Sequence, residues 1–105
     1  MMIALVIAAF ALPLPPYTDD QAAGFVSRAE KLMADIEAGT VRPPRDFKAA
    51  LAVVGVDPRR LPARYTHVGN FTFADEYRLS DGYTLLYSYL SPAGQFQGIV
   101  VRRRE

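Results

Sequence analysis

Apolar and polar positions alternate along the C-terminal third of the chain in three runs, 73–80, 83–90 and 96–102, each bounded by turn residues. A period of two predicts strands. Asp81-Gly82 between the first two runs predicts a type I′ turn with both φ angles positive, folding 73–80 back antiparallel on 83–90. Ser91-Pro92-Ala93-Gly94 predicts a second turn, with proline presetting φ and Gly94 left-handed, and returns the chain as a third strand. With Asp81 and Gly82 as the central turn residues, Leu79 faces Thr84, Tyr77 faces Leu86 and Phe73 faces Leu90. Ile99 and Val101 extend that face, which is taken as the core. The opposite face carries Tyr83, Leu85, Tyr87, Tyr89, Phe96 and Val100, interrupted by Glu76, Arg78 and Gly98, with Tyr87 placed to cover Gly98.

Upstream, the period changes to helical. Thr18-Asp19-Asp20-Gln21 forms a capping box, and Ala22, Phe25, Val26, Ala29, Leu32, Met33 and Ile36 follow on one face, closed by Gly39. Pro43-Pro44 starts a second, shorter helix through Asp46, with Phe47, Ala50, Leu51 and Val54 apolar and Gly55 at its end. Asp57-Pro58 predicts one further turn, stopped by Pro62. Residues 65–68 form either a fourth strand, turned at Gly69-Asn70, or part of an ordered loop. The expected fold is α+β: two N-terminal helices packed on one face of a three-stranded antiparallel meander, or a four-stranded one if 65–68 joins it.

Residues 1–12 are almost wholly apolar, and Ala9-Phe10-Ala11 has the small-x-small pattern of a signal-peptidase site. The expectation is a signal peptide over 1–11, a proline-rich linker over 12–17 and one domain over 18–105. A basic n-region is missing, so the alternative is that residues 3–10 are a buried element of a cytosolic domain. The apolar run ends at Pro13, short of the roughly 20 residues that a membrane-spanning helix needs. The protein is therefore expected in the periplasm or medium, or in the cytoplasm if 1–11 are retained.

Half of the 105 residues are apolar, which excludes an intrinsically disordered chain. Formal net charge is +1, but residues 1–41 hold two cations and five anions, against ten and six in residues 42–105. Cysteine is absent, removing disulfides, thiolate nucleophiles, cysteine-ligated metals and acylation at a lipobox cysteine.

Asp46-Phe47-Lys48-Ala49-Ala50-Leu51, then Gly55-Val56-Asp57-Pro58, resembles a helix ending in a Leu-Gly-x-Pro step; the Asp81-Gly82 hairpin follows. Over roughly residues 40–102 this resembles the small bacterial envelope domains of the SmpA/OmlA (outer-membrane assembly lipoprotein) and β-lactamase-inhibitor-protein type. The resemblance implies two helices on a short antiparallel sheet, and action by binding other proteins rather than by catalysis.

Candidate chemistry is sparse. His67 is the single histidine, no serine sits in a Gly-x-Ser-x-Gly elbow, and no metal-ligand or phosphate-loop spacing occurs. Asp75 and Glu76 are adjacent in a strand and so point to opposite faces. No catalytic residue, cofactor or metal is expected. Two binding surfaces are. Tyr83, Leu85, Tyr87, Tyr89 and Phe96 form an aromatic face suited to docking a protein or peptide, or to stabilising the sheet itself. Arg42, Arg45, Lys48, Arg59, Arg60 and Arg64 form a basic cluster which, with that face, would suit single-stranded nucleic acid. The leading expectation is a non-enzymatic exported binding or structural module; the alternative is a cytoplasmic nucleic-acid-associated domain, disfavoured because the topology lacks a recognisable nucleoprotein aromatic motif.

Overall fold

A computed structural model describes residues 16–104 apart from 63, 70–71 and 91–93. The expected signal segment, most of the linker, Asn70 and the Ser91-Pro92-Ala93 steps lie outside the described residues. Two helices, α1 (Asp19–Glu37) and α2 (Phe47–Val54), precede a 3₁₀ turn, Pro58–Arg60. Four strands follow: β1 (Arg64–Val68), β2 (Thr72–Arg78), β3 (Tyr83–Leu90) and β4 (Gln95–Arg103). They pair antiparallel in the order β1-β2-β3-β4, so residues 65–68 do belong to a fourth strand. No helix among the described residues is long and apolar enough to cross a membrane.

Local sequence explains both helix starts. Thr18 Oγ1 accepts from Gln21 N at 3.2 Å while Gln21 Oε1 accepts from Thr18 N at 3.0 Å, closing the capping box. Ala22, Phe25, Ala29 and Leu32 are the buried stripe of α1. The second helix begins later than the proline step suggested: Asp46 is its N-cap, accepting from Ala49 N at 2.9 Å. Pro43 and Pro44 therefore precede the helix instead of opening it. Gly55 ends it at φ 95°, and a Cβ there would also stand 2.6 Å from Arg28 Nη1.

The hairpin differs from expectation by one residue. Arg78 lies opposite Thr84, Tyr77 opposite Leu85, Asp75 opposite Tyr87 and Phe73 opposite Tyr89. Leu79 N donates to Tyr83 O at 3.0 Å, so Ser80, Asp81 and Gly82 make a three-residue loop. Positive φ occurs at Gly39, Gly55 and Gly94 among the described glycines, and not at Gly82; the type I′ turn is absent. A one-residue slip moves a strand's whole side-chain set to the other face. The buried face accordingly holds Tyr77, Leu79, Leu85, Tyr87, Phe96, Ile99 and Val101, in one core with Ala22, Phe25, Leu32, Leu51 and Val54 of the helices.

A bulge makes the third pairing possible. Ser88 pairs with Gly98 but Tyr89 pairs with Phe96, leaving Gln97 extra. That insertion brings Phe96 onto the same face as Ile99, three positions away, which a regular strand forbids. The bare Gly98 is approached by Met33 of α1, whose Cε would lie 3.5 Å from a Cβ there, and not by Tyr87. Phe47 of α2 stacks on Tyr77 with centroids 5.0 Å apart and meets Tyr87 edge-on at 4.8 Å. Tyr17 ties the entry to α1 into place: its N donates to Leu79 O at 3.2 Å and its hydroxyl accepts from Asp57 N at 2.8 Å. Full burial of Leu51, Leu79 and Leu85 contributes on the order of 1.5–3 kcal/mol each.

Candidate docking surface

The register decides which sheet face is available. The aromatic face proposed from sequence is the core: Leu85, Tyr87 and Phe96 are 0%, 4% and 9% exposed, and Tyr83 and Tyr89 are partly buried against it. As a docking surface for another chain it is corrected, because this chain's own Phe47 and helix side chains occupy it. Burial raises the Tyr87 hydroxyl pKa, and burial followed by the nearby Asp75 charge raises that of Tyr89.

On the same face, Asp75 is a buried carboxylate among hydroxyls. It accepts from Thr66 Oγ1 at 2.9 Å and from Tyr89 Oη at 3.3 Å, and Arg64 Nη1 stands 3.5 Å away. The bond with Tyr77, then the Asp75 charge, raises the pKa of Arg64. Asp75 and Glu76 do point to opposite faces of β2.

The six-residue basic cluster does not form one free patch. Arg59 Nη2 is bonded to Asp57 Oδ2 at 2.9 Å, the Arg60 guanidinium lies 5.2 Å from the Tyr17 ring centroid, and Arg64 faces Asp75. Arg42, Arg45 and Lys48 are exposed around the start of α2 and make no ion pair among the described residues.

No helix among the described residues lies over the opposite sheet face. Alternation from the observed register places Tyr65 and His67 of β1, Glu76 and Arg78 of β2, Thr84 and Leu86 of β3, and Val100 and Arg102 of β4 there. Tyr65, His67, Glu76, Arg78, Thr84 and Arg104 line an open trough of about 380 Å³. Arg102, Arg103 and Arg104 border an adjoining hollow of about 280 Å³ over the same Glu76 and Thr84. Arg104 is pinned at the rim: its N donates to Gly82 O at 2.8 Å and its Nη1 to Asp81 O at 3.3 Å.

Glu76 is the centre of this trough. His67 Nε2 donates to Glu76 Oε1 at 2.9 Å, and the Thr84 hydroxyl lies 3.1 Å from Oε2 and 3.0 Å from Tyr77 O, so its single proton serves one of them at a time. The His67 bond, ahead of that from Thr84, holds the Glu76 carboxyl below the usual carboxylate range. The order of these groups does not suit nucleophilic catalysis, where the base stands between carboxylate and nucleophile; here the carboxylate stands between histidine and hydroxyl. Among the described residues no group of three potential ligands is placed to hold a metal ion.

Arg78, Arg102 and Arg104 were outside both sequence-derived sites. Alternation along β2 and β4 already set Arg78 on one face with Val100; the observed register moves the β3 aromatics away from them, and β1 adds Tyr65 to that face. No protein-family model, curated protein or solved structure matches the chain.

Proposed function

We propose that this protein is a small, exported, non-enzymatic binding module that docks a protein or peptide partner of acidic character on the open face of its sheet. The observation that carries this reading is the pairing on that face, among the described residues, of excess cation with exposed apolar surface. Arg78, Arg102 and Arg104 surround one anion, Glu76, beside Tyr65 and Val100, which are 77% and 47% exposed. Tyrosine and arginine are the side chains that carry binding energy in protein interfaces, and excess positive charge steers an acidic partner. Export rests on the apolar segment 1–12 with its Ala9-Phe10-Ala11 step, and the resemblance to small envelope domains points the same way. The nucleic-acid alternative draws less support: the rings meant for base stacking are in the core, and Arg59 and Arg64 are engaged within the chain.

Site-specific photocrosslinking in the native host tests the reading. Benzoylphenylalanine in place of Val100 is expected to give a discrete protein adduct in the envelope or medium, and in place of Val53, 57% exposed on α2, none. Arg78→Glu/Arg102→Glu should remove that adduct. No adduct from Val100, or one sensitive to ribonuclease, would sink the proposal.

A further inference from the structure

We infer that the free edge of β1 is a self-association site, at which a second copy of this chain pairs antiparallel through Thr66 to extend the sheet. Gly69 N donates to Thr72 O at 2.8 Å, in register with the β1–β2 ladder. Antiparallel pairs alternate between positions that exchange both backbone bonds and positions that exchange none. Counting back, Tyr65 and His67 turn their N–H and C=O groups toward β2, while Arg64, Thr66 and Val68 turn theirs outward. β1 is an edge strand, exposed along its whole length, and no described residue bonds those outward groups.

Such an edge is a template for another strand. The usual protections are missing: β1 has no proline or lysine. Its Tyr65 and Val68, 77% and 72% exposed, are the two most exposed large apolar residues among those described. Its two basic groups are already met, Arg64 by Asp75 at 3.5 Å and His67 by Glu76 at 2.9 Å. A nearly neutral, apolar edge selects no strongly charged peptide, and this distinguishes it from the arginine-bordered trough.

The sequence of β1 suits itself. A two-fold axis at Thr66 sets Arg64 against Val68, Thr66 against Thr66, and Tyr65 against His67. Outward-facing residues then meet as hydrogen-bonded pairs, and Tyr65 meets His67 at the close, non-bonded spacing that favours ring contact. No like charges oppose one another. Centring the axis on Arg64 would set two guanidiniums face to face and shorten the overlap. Five residues a side fall short of a standard interface, so the association depends on concentration.

The full chain, which has no cysteine, permits a direct trap. Hydrogen-bonded antiparallel partners have Cα atoms about 5.5 Å apart, within disulfide range. Thr66→Cys is expected to form a disulfide dimer on mild oxidation, whereas Val53→Cys stays monomeric. In sedimentation equilibrium the wild type should approach twice 11.6 kDa as concentration rises. Val68→Pro removes an outward donor and no β1–β2 bond, and should weaken association at least about tenfold with far-ultraviolet circular dichroism unchanged. Should Val68→Pro misfold, Tyr65→Lys, which sets a cation against His67 of the second copy, is expected to weaken the dimer similarly. A wild type monomeric at every concentration, a dimer indifferent to the folded edge variants, or a Thr66→Cys adduct only with a different protein would overturn the inference.

Discussion

Asp19 Oδ1 accepts the backbone N–H of Gly82 at 2.9 Å, joining the first turn of α1 to the tip of the β2–β3 hairpin across 63 residues. Proximity and not backbone angle favours glycine there: a Cβ at Gly82 would stand 2.9 Å from Asp19 Oδ2 and push that carboxylate aside. With Tyr17 N bonded to Leu79 O, this contact fixes where the hairpin turns and hence which strand residues face the helices.

Gly82→Ala is expected to displace the Asp19 carboxylate and lower the thermal midpoint by a few degrees, whereas Asp81→Ala, which leaves that contact in place, should lower it less. Differential scanning calorimetry of the two variants makes the comparison. Equal losses in the two variants would contradict a role for the Asp19 contact.

Stability should fall in acid partly through this contact. The Ser80 hydroxyl and then the Gly82 amide hold the Asp19 carboxyl below its usual range; the amide makes the defined bond, while buried Ser80 Oγ completes none and acts as a neighbouring dipole. A depressed carboxyl pKa stabilises the fold above its unfolded value of about 4, and that contribution is lost as pH falls through the folded value. Asp19→Asn should therefore flatten the decline in melting temperature below about pH 4, with Glu76, also depressed, supplying part of the remaining slope.

Tyr87 and Tyr65 should respond oppositely to removal of the ring. Tyr87→Ser deletes a buried ring in contact with Phe47 and Phe96, and should cost about 3–5 kcal/mol by urea denaturation. Tyr65→Ser, at an exposed position, should stay within about 0.5 kcal/mol of wild type. Equal stability of the two variants would contradict the face assignment.

The Asp75 cluster makes a separate prediction. Asp75→Ala leaves the Tyr89 and Thr66 hydroxyls without their acceptor and should cost about 1–3 kcal/mol. Tyr89→Phe, which removes one bond and keeps the ring contact with Phe73, should cost less.

Local chemistry was enough to determine several elements of this protein. The Thr18–Gln21 capping box, the buried stripe from Ala22 to Leu32, the left-handed Gly55 and the alternation in 73–80, 83–90 and 96–102 each act within a few residues, so sequence alone marks them. Register was not determined in this way. Both faces of the hairpin are rich in apolar side chains, Tyr83, Leu85, Tyr87 and Tyr89 on one and Leu86 and Leu90 on the other, so alternation by itself suited either choice. Distant contacts decided it: Phe47 against Tyr77 and Tyr87, Asp19 on Gly82, and the Gln97 bulge that aligns Phe96 with Ile99. The one-residue difference buried the aromatic residues of β3 and left Arg78 and Arg102 on the open face without them. A strand's face is a property of its partners, and those partners lie dozens of residues away.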